Sequence, residues 1–347
     1  MRFFRKALRK IKLFVLFWTR IVFVENNFKV SFITKLRMNF CGGYLADQYV
    51  LYDFKHNDKK EFLSEFDWYR SRYINEPFDF AFNNKVICQE ILEQHIRMPK
   101  NYFIKNKGIL YDFEQGMKSY EDVLDCLIKN IKLVIKPFAL GKGNGVHVLY
   151  YDKECYYIDS KEVAEEECIA FLKSRDGYIV SEFIHQHRYA DQLFSETANT
   201  IRVVTIRDID THRFKIYFAV QRIGTASTIP VDNGSKGGLV AKIDLEKGTL
   251  SEARCLHDLN VYTCHPDSGN PIEDVCIPDW DSVKEEILAL CEKLPYMDMI
   301  AWDVMITEEG ICIIEANTSS GVNILQLWGG QRKQELGDFF RYHKVIK

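Results

Sequence analysis

Asp303, Glu315 and Asn317 stand on two apolar, β-branched runs separated by a short polar stretch. The runs are Ile300-Ala301-Trp302-Asp303-Val304-Met305-Ile306 and Ile311-Cys312-Ile313-Ile314-Glu315-Ala316-Asn317, with Thr307-Glu308-Glu309-Gly310 between them. That pattern predicts a β-hairpin, and folding it back brings Asp303 near 313–315. Side chains alternate along a strand, so Glu315 and Asn317 point the same way. Two carboxylates and an amide oxygen at the edge of a greasy hairpin are hard donors of the kind that hold Mg2+ beside a phosphate. The bland alternative is a hairpin whose acids face solvent.

A second set of residues supplies positive charge. Lys136 lies near the end of the strand-like run 132–137, and Gly141-Lys142-Gly143-Asn144-Gly145 follows it before a second strand over 146–151. Glycines spaced by one residue let the backbone close over an anion and offer it N–H groups, while Lys142 adds charge. A Walker loop needs Gly-Lys-Ser/Thr opening a helix, and a Rossmann fingerprint needs a strand-to-helix turn. Here strand follows strand, which leaves a flap over phosphates with Lys136 pointing in from the first strand; a plain flexible turn is the alternative. In 199–205, Arg202 falls on the opposite face from Ile201 and Val203, an odd place unless an anion pairs with it.

These residues need a scaffold. The hydrophobic pattern predicts helices over 58–73, 84–96, 119–129, 161–173, 281–294 and 332–344. It predicts hairpins over 102–112 and through 214–222, and strands over 177–182, 199–205 and 239–244. At 347 residues the chain has room for two or three domains. Its ten cysteines form no Cys-x-x-Cys pair, and Cys88, Cys126, Cys168, Cys291 and Cys312 sit inside apolar runs, as reduced core residues of a cytoplasmic protein do. The tightest cluster, Cys255, His257, Cys264 and His265, lacks the paired spacing of structural zinc sites.

Charge is uneven along the chain. Residues 1–40 carry ten Lys or Arg against the single acid Glu25, a net +9, and 41–347 carry a net −12. An acidic body speaks against nucleic acid as a partner and for something anionic near the N-terminus. Within 1–24, a helix would place Arg2, Arg5, Lys6 and Arg9 on one face and Phe4, Leu8, Ile11, Val15 and Trp18 on the other. The uninterrupted apolar run is far short of the roughly 20 residues that span a bilayer. The expectation is a peripheral membrane helix on the anionic inner face, with docking on the protein's own body as the alternative.

Taken together, the Lys136 strand, the glycine flap, a strand ending in Glu182, the Arg202 strand and the Asp303…Glu315-x-Asn317 hairpin resemble the ATP-grasp superfamily. The likeness is to its sugar-transfer-associated branch, distantly similar to glutamate ligases. It runs in order through Asn83-Asn84-Lys85, Met98-Pro99, the 199–205 segment, Asp232-Asn233 with Gly237-Gly238, 265–269, the hairpin and 321–326.

The resemblance implies an α+β, ATP-grasp fold in which two α+β lobes clamp ATP with Mg2+. Its divisions would be a basic amphipathic helix over 1–25, a helical region over 26–82, an N-lobe with the flap over 83–185, a C-lobe with the metal hairpin over 186–330, and a tail helix over 331–347. It puts Lys136 on the α- and β-phosphates, and Gly141, Lys142, Gly143 and Gly145 over the γ-phosphate. The backbone of Glu182, Phe183 and Ile184 would meet the adenine edge, Arg202 and Lys142 would be the catalytic cations, and Asp303, Glu315 and Asn317 would hold Mg2+. Many relatives place an acid just after the hinge; here none precedes Asp191, so His187 or Asp191 would take the ribose.

The activity so implied is carboxylate–amine ligation through an acyl phosphate, on a small-molecule or glycan substrate, in polysaccharide or cell-envelope glycan modification. Arg222, Asp232 and Asn233 are candidates on the substrate side, with Ser320 and Asn323 beyond the hairpin; ordinary loop structure is the alternative. Two other classes stay open. One is a kinase of a sugar or polyol hydroxyl with Asp232 as base, the other an inactive nucleotide-binding module. Oligomeric state is not legible in the chain.

Overall fold

The computed structural model describes residues 2–114, 116–138 and 143–347, with side chains from residue 7 onward. Gly141 and Lys142 therefore lie outside the described residues, as do the side chains of Arg2, Phe4, Arg5 and Lys6.

The chain begins with helices: α1 (Arg2–Phe17), α2 (Phe32–Phe40), α3 (Ala46–Leu51), α4 (Glu65–Ser71), α5 (Asp79–Asn83) and α6 (Lys85–Leu92). Ser31, Ser64 and Asn84 cap α2, α4 and α6 by accepting from first-turn N–H groups, which fixes where those helices start. The single helix expected over 58–73 is broken for the same reason. Asp58 caps a short 3-10 turn, Lys59–Glu61, and Ser64 then restarts the chain as α4.

Next come β1 (Asn101–Asn106), β2 (Ile109–Asp112), α7 (Tyr120–Asn130), β3 (Lys132–Pro137), β4 (His147–Asp152), β5 (Cys155–Ile158), β6 (Lys161–Val163), α8 (Glu165–Ser174) and β7 (Tyr178–Glu182). The helix expected from residue 161 starts four residues late. Asp159 and Ser160 both take positive φ, the backbone of a two-residue hairpin turn, so 161–163 returns along β5 as β6. The remainder holds α9 (Arg188–Leu193), β8 (Ile201–Arg207), β9 (Phe214–Ile223), β10 (Leu239–Ile243), β11 (Leu250–Cys255), β12 (Val261–Tyr262), α10 (Trp280–Glu292), β13 (Met299–Thr307), β14 (Gly310–Asn317), α11 (Val322–Leu325) and α12 (Glu335–Tyr342).

Among the described residues the strands form two seven-stranded antiparallel sheets, in the orders β2-β1-β7-β3-β4-β5-β6 and β12-β11-β10-β9-β8-β13-β14. Each sheet is the floor of one α+β lobe. In the first, Leu133, Ile135, Leu149 and Val180 pack with Leu124 and Leu127 of α7 and Leu172 of α8. The alternate residues Lys132, Val134, Lys136 and Val148 therefore face the other way, into a cavity. The second sheet is covered on both faces. Val203, Trp302 and Ile313 pack with Ile287 of α10 and Leu92 of α6, while Val204, Ile206 and Phe218 pack with Phe339 and Phe340 of α12.

The N-terminal helices are bound to this second lobe. Asn75 Nδ2 donates to the Met299 carbonyl (2.6 Å), and its Oδ1 accepts from Asp298 N (2.8 Å) and Met299 N (3.2 Å), so one side chain pins the helical region to the start of β13.

Candidate active site

The open face of the first sheet and the second sheet enclose a cavity of about 630 Å3. Lys136 reaches it from β3, Lys85 from the first position of α6, Arg222 from β9, Asp303 from β13 and Glu315 from β14. The alternation of β3 that buries Leu133 and Ile135 aims Lys136 inward, and the Asn84 cap places Lys85 at the helix start.

The β13–β14 hairpin supplies the acids. Asp303 pairs with Glu315, while the next pair is Val304 with Ile313, so Ile314 is an extra residue in a bulge. Bulges re-aim side chains, and here Ile314 and Glu315 both line the cavity although they are adjacent. Lys85 Nζ lies 2.9 Å from Glu315 Oε1. Asp303 accepts from Arg202 Nε (2.5 Å) and Nη2 (3.0 Å), and Arg222 Nη1 lies 3.2 Å from its Oδ1. Burial pushes the Asp303 carboxyl up, but the two arginines outweigh it and hold the group below the ordinary carboxylate range.

Beyond Arg222 the chain of charges continues. Asp232 accepts from Arg222 Nη2 (2.5 Å), Thr200 N (2.7 Å) and Thr200 Oγ1 (2.6 Å). It is 4% exposed, and burial pushes its carboxyl up despite Arg222. On the facing wall, burial and the neighbouring Lys85 push the Lys136 ammonium down to about 8.

The described end of the flap lies against both lobes. Gly143 has φ +64°, and a Cβ there would lie 2.9 Å from Val231 Cγ2 in the second lobe; Gly145 has φ +71°, and a Cβ there would lie 3.0 Å from Pro137 Cγ. Both positions need glycine for conformation as well as for space. At the hinge, the Glu182 amide donates to the Lys100 carbonyl (2.8 Å) and its Oε2 accepts from Lys100 N (3.0 Å). The Glu182 N–H is thus engaged with residue 100. Glu182, Phe183 and Ile184 all line the cavity.

Residues 67–335, well over half of the chain, match the family described as sugar-transfer associated ATP-grasp. The chain belongs to that family. No curated protein matches it. Among solved structures, the ATP-grasp chain is similar to the ADP complex of PurK, an N5-carboxyaminoimidazole ribonucleotide synthetase: 12% identity, 70% of this chain and 46% of that one, TM-score 0.40. It is similar to the ATP-grasp ligase PsnB with a phosphomimetic variant of its minimal precursor, Mg and ADP (12%, 78% and 61%, TM-score 0.42). It is similar as well to D-alanine–D-alanine ligase from Bacillus anthracis with ATP (15%, 76% and 63%, TM-score 0.39). The chain spans less than two thirds of the length of each of these proteins.

The other predicted residues divide between the cavity wall and its supports. Arg202 is not on the cavity wall: it holds Asp303 from behind, and Arg222 is the arginine that lines the cavity. His187 caps α9, accepting from Tyr189 N (3.1 Å) through Nδ1 with Nε2 3.3 Å from Glu308; Asp191 lines the cavity, accepting from Gln186 Nε2 (2.8 Å). Asn233 lines the cavity but its Oδ1 caps its own loop, accepting from Ser235 N and Oγ (both 2.9 Å). Asn323 lies off the cavity wall. Its Oδ1 accepts from Gln48 Nε2 (2.6 Å) and Tyr52 Oη (2.7 Å), so it ties α11 to the N-terminal helices. Ser320 is buried away from the cavity, without a hydrogen-bond partner among the described residues.

The donor chemistry of Asp303 and Glu315 fits Mg2+, and Asn317 follows two residues on along the same strand face. Asp303 and Glu315 present hard oxygens side by side, and no third His, Cys, Asp or Glu joins them among the described residues. Two carboxylates leave coordination positions for phosphate oxygens and water, which is how that ion is usually held. Asn317 pairs with Ala301 further along the hairpin and does not line the cavity. Lys85 is the cavity residue that pattern reading overlooks; its only sign is its place in Asn83-Asn84-Lys85.

Proposed function

We propose that this protein is an ATP- and Mg2+-dependent carboxylate–amine ligase that works through an acyl phosphate on a glycan or glycan precursor. The observation that carries the reading is the charge pattern of one cavity. Lys136 and Lys85 stand on one side, Arg222 on the other, with Asp303 and Glu315 between them. The family's association with sugar transfer supports the glycan side.

Each residue then has a task. Lys136 and Lys85 bind phosphate oxygens. Asp303 and Glu315 would hold Mg2+, which when bound neutralises charge on the transferred group. Arg222, kept rigid by Asp232 and Asp303, directs fixed donors at the charge that develops during transfer. Phe183, Ile184 and Tyr150 offer an apolar wall for the base, and Asp191 accepts from the ribose hydroxyls. In the first half-reaction a carboxylate oxygen bonds to the γ-phosphorus as the bond to the bridging oxygen breaks and ADP leaves. In the second an amine nitrogen bonds to the acyl carbon, gives up a proton, and inorganic phosphate leaves.

The cations of the cavity favour ligase over kinase. A hydroxyl nucleophile needs a base to take its proton, and Asp232, which accepts from Thr200 and Arg222, is the acid on the cavity wall placed for that role. A carboxylate nucleophile is already ionised and needs only cations around it. Turnover of ATP with Mg2+ should be assayed across pools of carboxylates, amines and sugars. Release of ADP and phosphate that requires both a carboxylate and an amine supports the ligase; ADP without free phosphate would mean a kinase, and no turnover in any pool an inactive module.

A further inference from the structure

The N-terminal helices leave a continuous apolar face uncovered. One side of α1 is docked: the Phe17 ring packs edge-on against Phe66 (5.4 Å between centroids), and Arg9 lies over the Tyr73 ring (4.4 Å). Ile21, just past α1, is fully buried. The opposite side carries Leu8, Ile11, Phe14 and Val15, all exposed and spaced to share one helical face. On α2, Phe32, Ile33, Leu36 and Phe40 share another face, with Phe32 73% and Ile33 77% exposed. Trp18 joins the two, its ring 6.2 Å from Phe14 and 5.9 Å from Phe40.

Soluble proteins seldom expose so wide an apolar surface without a partner. Its flanks say which partner. Residues 1–40 carry a net +9, and Lys10, Lys12, Arg20, Lys29 and Arg37 are exposed around the face. A second copy meeting it face to face would be repelled by that charge, and an uncharged apolar partner would be indifferent to it. An anionic bilayer matches both the apolar stripe and its basic border.

We propose that this two-helix face binds the surface of an anionic lipid bilayer, with the aromatic and aliphatic side chains in the interface and the basic ones at the headgroups. No helix among the described residues is long and apolar enough to cross a membrane. The helices lie flat on the surface. Docking on the body and binding to lipid, alternatives in the sequence, occupy opposite sides of α1. Arg9 belongs to the body side, since it faces Tyr73 and Glu76. Nothing in this proposal depends on the ligase reading.

The test is co-sedimentation of the full chain with vesicles of phosphatidylcholine alone and of phosphatidylcholine mixed with phosphatidylglycerol. The wild type should pellet with the mixed vesicles only. A triple variant, Ile11→Gln, Phe14→Gln and Ile33→Gln, and a charge variant, Lys12→Glu with Lys29→Glu, should each bind about tenfold or more weakly. Both should melt as the wild type does, since every altered side chain is exposed. The proposal is overturned if the wild type stays in the supernatant with mixed vesicles, or if either variant binds as tightly. It is also overturned if sedimentation velocity shows self-association that the triple variant abolishes while vesicle binding is absent.

Discussion

Arg202 and Asp303 lie directly opposite each other on adjacent strands, and the guanidinium grips the carboxylate with two hydrogen bonds, of 2.5 and 3.0 Å. The same carboxylate faces Arg222 on its other side, and Arg222 in turn holds Asp232. Arg202 is therefore an anchor, and Arg222 is the end of the network that reaches the cavity. The buried row alternates in sign from Arg202 to Asp232, so no member is left with an unmatched charge.

Removing one member should be costly. Asp303→Ala leaves two guanidinium groups buried without their shared partner, and stability should fall by about 3–5 kcal/mol. Denaturant unfolding of the purified variant measures it. Glu315→Ala removes a partly exposed pair, so its unfolding free energy should change by only about 1 kcal/mol while turnover is abolished. A folded, fully active Glu315→Ala protein would refute the metal assignment.

Arg222 and Arg202 should separate in kinetics. Arg222→Lys keeps a charge but loses the fork that fixes it between Asp303 and Asp232, and kcat should drop by about a hundredfold or more with ATP affinity little changed. Nucleotide binding and turnover on the same preparation test this. Equal loss of both would place Arg222 in ground-state binding instead.

Lys136 gives the site a pH signature. With its ammonium pushed down to about 8, the free site is protonated at neutral pH and loses that proton above this value. Bound phosphate favours the charged form and raises it. ATP binding should therefore take up almost no proton at about pH 7 and approach one proton at about pH 9. Calorimetry in buffers of different ionisation enthalpy reads the uptake, and Lys136→Met should abolish it.

Asn323 should behave as a structural residue. Asn323→Ala removes the acceptor of Gln48 and Tyr52, and stability should fall by about 1–3 kcal/mol with the KM of every substrate unchanged. A raised KM for one substrate with unaltered stability would return Asn323 to the substrate side.

Much of this site was legible because period-two patterning is local. Lys136 alternates with Leu133 and Ile135, and an apolar hairpin brings Asp303 near 313–315, although its pairing with Glu315 itself depends on the bulge at Ile314. The contacts of the site that the sequence does not announce are non-local. Nothing near Arg202 in the chain says that Asp303 will occupy it, nothing near Asn323 announces Gln48 and Tyr52, and Lys85 meets Glu315 only after two lobes have formed. The bulge at Ile314 and the 159–160 turn were missed for another reason: each depends on a backbone choice that apolar periodicity does not encode.

The central claim is that a carboxylate is activated by phosphorylation in this cavity. Once a carboxylate and amine pair supports turnover, that carboxylate should be supplied with heavy oxygen and the released phosphate examined by mass spectrometry. The account predicts that one labelled oxygen appears in inorganic phosphate for each amide formed, and none with Glu315→Ala. Product formation with unlabelled phosphate, or phosphate retained on the acceptor, would contradict it.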